Sequence, residues 1–148
     1  VFLESKIQVI QLPYFINYNP QTNFYYAMEE SNFEVNPHGR SEGTYTKYSS
    51  LDDKIDGLHH YTWFIKTGRG RATEDATIEI RNKIITREEG VALVKKYDGE
   101  FPKLFIKEIL EYLNLDENEF NEIIDKYRPQ HLWERKNNKW NLKHAVWQ

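Results

Sequence analysis

The stretch Lys66-Thr67-Gly68-Arg69-Gly70-Arg71-Ala72-Thr73 sets two glycines among three cationic side chains at the threshold of a predicted helix. Glycines let backbone N–H groups approach an anion closely, and the helix N-terminus behind them adds partial positive charge. Lys66, Arg69 and Arg71 would add charge-assisted hydrogen bonds, bidentate from a guanidinium. With Gly70 and Thr73 they make a candidate phosphate-binding turn. The stretch is not a Walker loop, because the GK[ST] ending is missing. Glu74 and Asp75 follow in the first helical turn, where they complement the dipole and can pair with the arginines. A plain corner between two helices, closed by surface ion pairs, is the competing reading.

A second candidate is the hydroxyl-rich run Gly43 to Lys54, GTYTKYSSLDDK. Tyr45, Lys47 and Asp53 carry the ring, cation and carboxylate that a sugar site uses, the ring to stack and the polar groups to read hydroxyls. A capped helix start with solvated polar residues explains the same run. His59-His60 does not suggest a metal: neighbours on a helix point about 100° apart, and no third ligand has a recognisable spacing. The aromatic group Tyr25, Tyr26, Tyr61, Trp63 and Phe64 reads as core.

These residues need elements to hold them. Ile7 to Leu12 is β-prone and ends at Pro13, as a strand would. Asn19-Pro20 has the chemistry of an N-cap and first helical residue, and that helix should fade near Ser31-Asn32. Residues 33–49 contain Pro37, Gly39 and Gly43 without periodicity and form a long loop, the kind that often carries function. From Ser50 the pattern is helical. Ser50 and Asp53 resemble a capping box for a helix bearing Leu51, Ile55, Leu58, Thr62 and Ile65, ended by Gly68 and Gly70. Helices are predicted from Ala72 to Asn82, from the capping box Thr86 to Glu89 up to Gly99, from Pro102 as a nearly encircled central helix, and from the cap Asp116 to Pro129. The tail changes period: Leu132, Trp133, an Asn137-Asn138 turn, Trp140 and Leu142 predict a small hairpin. The fold class is therefore mainly α: the last strand and helix of an α/β layer, a helical bundle, and a C-terminal β-hairpin.

With 148 residues, 39% hydrophobic and 15% aromatic, the chain can build one core. Twenty Lys and Arg against 23 Asp and Glu give a net charge of -3, which argues against a nucleic-acid partner. The absence of cysteine excludes disulfides, thiol catalysis and cysteine-ligated metals within these residues. No apolar run reaches the roughly 18–20 residues that span a membrane, and no charged-then-apolar leader opens the chain, so a cytoplasmic setting is expected. Val1 stands first and Met28 is the only methionine, as in a piece of something longer.

The motifs EGTYTKY, DDKIDG, GRGRAT, ITREEG and DGEFPK occur in that order. In order and spacing they resemble the carboxy-terminal region of the N-acetyl sugar amidotransferases of lipopolysaccharide O-antigen and pseudaminic or legionaminic acid biosynthesis. The resemblance runs from about Ile7 to the end. It implies an ATP-pyrophosphatase-type enzyme using ATP and Mg, in which a sugar acetamido group becomes acetamidino. The implied partners are a nucleotide-linked N-acetyl sugar and a separate glutaminase subunit that supplies ammonia, with a homodimer as a further assembly. The family's SGGxDS-type pyrophosphate loop is not among these residues, nor is its cysteine-rich segment. Residues 1–43 would then be the tail of the α/β nucleotide-binding domain, and 44–148 the helical C-terminal domain, without catalysis of its own. The resemblance favours Arg69 and Arg71 as phosphate contacts and Lys47, Tyr45 and Asp53 as the sugar side. On it, Arg71→Ala should abolish amidination and leave the fold standing. The competing function is a non-catalytic docking or dimerisation module that uses an exposed tail of Trp133, Trp140 and Trp147.

Overall fold

The computed structural model describes residues 8–49 and 51–148. Two compact units are present, one ending at Phe33 and the other Glu34–Gln148. Among the described residues there are six α-helices and one two-stranded antiparallel sheet: α1 Pro20–Ser31, α2 Asp56–Thr67, α3 Arg71–Arg81, α4 Arg87–Tyr97, α5 Ile106–Leu113, α6 Glu117–Lys126, β1 Trp133–Lys136 and β2 Lys139–Leu142. The fold is mainly helical with a small C-terminal hairpin.

In the first unit, Asn19 caps α1 by accepting the N–H groups of Gln21 and Thr22, and Asn32 ends the helix in the left-handed conformation. The strand expected from Ile7 is not found in its described part: Gln8 to Gln11 is irregular and Leu12–Tyr14 is a 3-10 turn. Pro13 suits a helical first turn, and a strand needs a neighbour to pair with. Tyr25 and Tyr26, expected in the core, are exposed on α1.

The second unit is built on Phe64 and Ile65 of α2, Ile106 and Leu110 of α5, Phe120 and Ile124 of α6, and Trp133 and Leu142 of the hairpin. Helix α3 packs against α4, burying Ala72, Ala76 and Val94. Helix α2 begins at Asp56, later than expected, and Ser50 of the expected capping box lies outside the described residues. Asp53 starts the helix instead: its Oδ1 accepts the N–H of Ile55 at 2.7 Å and of Asp56 at 3.0 Å. The capping boxes at Thr86 and Asp116 both form. Helix α5 starts at Ile106 rather than Pro102, and it is not encircled: Tyr112 is 81% exposed. Eight residues make little more than two turns, so only the stripe Ile106, Ile109, Leu110 reaches the core.

Asn137 and Asn138 have φ of 50° and 59°, the two left-handed residues of a type I′ turn, and they set the register Trp133↔Leu142. The Trp133 indole N–H donates to the Ile65 carbonyl at 2.8 Å, and Trp140 and Trp147 pack against the core. An exposed tryptophan tail is therefore not present.

Candidate functional site

The glycine turn is built from its two flanking helices. Gly68 ends α2 with φ 71°, its N–H donating to the Phe64 carbonyl. Gly70 precedes α3, which has no side-chain cap of its own. The cap arrives from Asp98 at the end of α4. Its carboxylate accepts the Gly70 N–H at 2.8 Å, the Thr73 N–H at 3.2 Å and the Thr73 hydroxyl. A Cβ at Gly70 would lie 2.7 Å from Asp98 Oδ1, so the close approach requires glycine. Burial pushes the Asp98 carboxyl up, against the pull of these hydrogen bonds. The anion held by this turn in the structure is the protein's own.

The second half of the turn faces the 40–49 loop. Arg71 Nε donates to Asp75 Oδ1 at 2.9 Å and Nη2 to the Ser49 hydroxyl at 3.2 Å. Asp75 Oδ2 accepts from the Thr44 hydroxyl at 2.8 Å. Thr44, Thr46 and Ser49 continue the chain at 3.1 and 2.7 Å, and all three are buried with Asp75. Desolvation opposes the charge on Arg71, but Asp75 outweighs it and holds the guanidinium above its ordinary value. The Ala72 N–H donates to the Gly43 carbonyl, and the Gly43 N–H donates to Glu100, which also takes both Nη atoms of Arg40 at 2.6 and 2.8 Å. Burial pushes Glu100 up, and the Arg40 and Gly43 bonds more than reverse it. Thus EGT, GRGRAT and DGE are one knot: the acids of the third hold the turns of the other two.

Tyr45 donates its hydroxyl to Glu79 at 3.0 Å, and burial with that carboxylate drives its pKa far above the usual phenol range. Burial also raises Glu79. Lys47 is exposed. Asp53 lines a cleft of about 450 Å³ with Glu34, Pro37, His38, Lys54 and Phe105. Asp52, Asp53 and Asp56 have carboxylate oxygens within 4.8 Å of one another, but one Asp53 oxygen already caps α2.

His60 is 4% exposed, with Nδ1 3.3 Å from the Glu42 carbonyl oxygen. Burial holds its pKa below 6.5, an effect that the Glu42 contact only partly offsets. Unfolded His60 therefore binds a proton before the folded residue does, so stability present above 6.5 is lost as pH falls toward the folded value. The denaturation midpoint should drop between about pH 7.5 and about pH 5.5. The raised carboxyls of Asp98 and Glu79 work in the opposite sense at lower pH. His60→Asn, compared with wild type across that range, isolates the histidine; equal slopes for the two proteins would refute its role.

Lys66 and Arg69 lie on the outer face of the α2–α3 corner. Lys66 lines a cleft of about 330 Å³ with His59, Thr62, Trp63 and Thr67. Arg69 and Gly70 line another, of about 290 Å³, with Trp63, Thr73, Glu74, Thr77, Ile78 and Arg81. Trp63 belongs to both. Sequence reasoning assigned it to the core, although the signal was available: His59, Thr62, Trp63, Lys66 and Thr67 share one helical face, opposite Leu58, Tyr61, Phe64 and Ile65. Asp98 and Glu100 were missed because their partners are far away in sequence. The eight candidates thus divide: Arg71 faces the 40–49 loop, Thr73 and Gly70 hold Asp98, Lys66 and Arg69 flank Trp63, Asp53 lies in a cleft with Phe105, Tyr45 is bonded to Glu79, and Lys47 is exposed.

Residues 42–146, all within the second unit, match the family described as "LPS biosynthesis protein WbpG-like, C-terminal domain". The chain belongs to this family. The match begins in the loop that contributes Gly43 and Thr44 to the knot and ends after the hairpin, so the WbpG-like domain contains these contacts and the Trp63 face. No curated protein matches the chain. No helix among the described residues is long and apolar enough to cross a membrane.

Proposed function

We propose that this WbpG-like domain is the substrate-binding carboxy-terminal part of an ATP-dependent N-acetyl sugar amidotransferase acting in lipopolysaccharide biosynthesis. Its substrate is a nucleotide-linked N-acetyl sugar, and ammonia comes from a glutaminase subunit. The observation that carries the reading is the outer face of the α2–α3 corner, where the exposed cations Lys66 and Arg69 flank Trp63. Arg69 has no ion pair among the described residues, whereas Arg40, Arg71 and Arg128 are each paired with a carboxylate. An unpaired guanidinium beside a lysine suits a diphosphate.

When bound, ATP would supply the adenylyl group that makes the acetamido oxygen a leaving group. In the acidic trio Asp52 and Asp53 are exposed and Asp56 is half-buried, and one Asp53 oxygen is spent on capping, which makes the trio a poor magnesium site. The part of this chain is to hold the sugar nucleotide through Lys66 and Arg69 and to keep the corner rigid through Asp98 and Arg71. The docking-module alternative loses its anchors, since Trp133, Trp140 and Trp147 serve the core.

The test is denaturant unfolding of this chain with and without UDP-N-acetylglucosamine. At 100 times its dissociation constant the ligand should add about 2.7 kcal/mol, and Lys66→Ala/Arg69→Ala should abolish the gain. Stabilisation no greater than that from UDP alone would remove the sugar substrate from the reading.

A further inference from the structure

Three of the four tryptophans serve the core, Trp133 within it and Trp140 and Trp147 packed against it; Trp63 is outside that set among the described residues. Arg128 lies 4.6 Å from the Trp133 ring and 5.5 Å from that of Trp140, whereas no cation covers Trp63 among the described residues. A partly exposed indole bordering two clefts, with the His59 ring beside it at 6.3 Å and tilted by 40° rather than stacked, is a stacking platform.

The cleft beside it has direction. Thr73, Thr77 and Arg81 recur every four residues along one face of α3, so Thr73 and Arg81 are separated by about 12 Å of helix. Arg69 joins Gly70 and Thr73 in lining that cleft, one helix turn before Thr73 in sequence. Arg81, like Arg69, has no ion pair among the described residues and is exposed. Among the lining residues Glu74 is the single carboxylate, which opposes bare anions and offers an acceptor to a hydroxyl. A flat ring, a hydroxylated spacer and a polyanion are the parts of a nucleoside diphosphate.

We propose that the Trp63–Arg69–Arg81 cleft binds a nucleoside diphosphate, with the base stacked on the Trp63 indole and the phosphates on the two guanidinium groups. This deepens the reading above and rests on it only for the sugar attached. Stacking accepts any base, so the ligand could be the nucleotide half of the sugar donor or an adenine nucleotide, and the test separates them.

Titration calorimetry of the full chain would use UDP, ADP, UDP-N-acetylglucosamine and inorganic pyrophosphate. Trp63→Leu should weaken UDP and ADP roughly 5- to 150-fold, the cost of one lost base stack, and leave pyrophosphate unchanged. Trp63→Phe should retain most of the affinity. Arg69→Gln/Arg81→Gln should weaken all four ligands. Tighter UDP than ADP would point to the sugar donor, and the reverse to an adenine nucleotide; either supports the cleft. If Trp63→Leu weakens pyrophosphate as much as UDP, or changes neither, the base platform is wrong. No binding of UDP or ADP to wild type at millimolar ligand also overturns it. UDP-N-acetylglucosamine that needs Lys66 and Arg69 but not Trp63 would sink this inference and leave the proposed function standing. UDP binding through Trp63 with no gain from the sugar would do the opposite.

Discussion

Replacing Asp98 with alanine is expected to destabilise the second unit by about 3 kcal/mol, the sum of a lost helix cap and donors left without partners. The carboxylate accepts three hydrogen bonds from Gly70 and Thr73, and α3 has no side-chain cap of its own. Burial raises its pKa, so the ionised form is costly to hold, but bare N–H groups at a buried helix end cost more. Asp98→Asn should lose about half as much, because an amide offers one acceptor oxygen and turns its NH2 toward a donor. Urea unfolding followed by far-UV circular dichroism reads both variants. A midpoint shift equivalent to less than about 0.5 kcal/mol, the scale of an ordinary surface substitution, would show that the cap is unimportant.

The second large effect belongs to Asp75. Its alanine variant should cost about 3 kcal/mol, the low end for breaking a buried pair, because the Arg71 side chain stays 31% exposed and water can reach it. Arg71 and the Thr44 hydroxyl would both lose their acceptor. Arg71→Ala should cost less, since Asp75 keeps Thr44. The double variant should cost clearly less than the sum of the two, as residues in one network do. Strict additivity would mean that the bonds between loop and helix contribute separately.

This arrangement changes how Arg71 is tested. It holds the 40–49 loop to α3, so Arg71→Ala would lower activity by loosening the loop whether or not it touches phosphate. Arg69 is the informative position, because its guanidinium has no ion pair to lose among the described residues.

Much of the scaffold was legible in the residues themselves. Asn19-Pro20, the capping boxes at Thr86 and Asp116, and the Asn137-Asn138 turn each fix a boundary with groups that lie within a few residues of one another. Such bonds carry almost no loop-closure cost, so local spacing specifies them. The pairing of Arg71 with Asp75 was legible for the same reason, four residues along one helix. The late starts of α2 and α5 were not: Asp53 caps α2 locally, but Lys54 pairs with Glu108 and the Leu104 N–H donates to Glu42, partners 54 and 62 residues away.

The use of the glycine turn was a different matter. GRGRAT by itself has the composition of an anion site, and it does hold an anion. That anion comes from 28 residues away, on the C-terminal end of another helix. Nothing in local spacing could assign Asp98 to Gly70 or Glu100 to Gly43, separations that only packing closes. The sequence determined the helices, the local caps at Asn19, Thr86 and Asp116, the hairpin and the supply of cations. The tertiary structure decided which cations are consumed in holding the fold and which remain at the surface. Each buried donor or charge must find a partner, and Lys66, Arg69 and Arg81 around Trp63 are among the exposed cations that no ion pair consumes among the described residues.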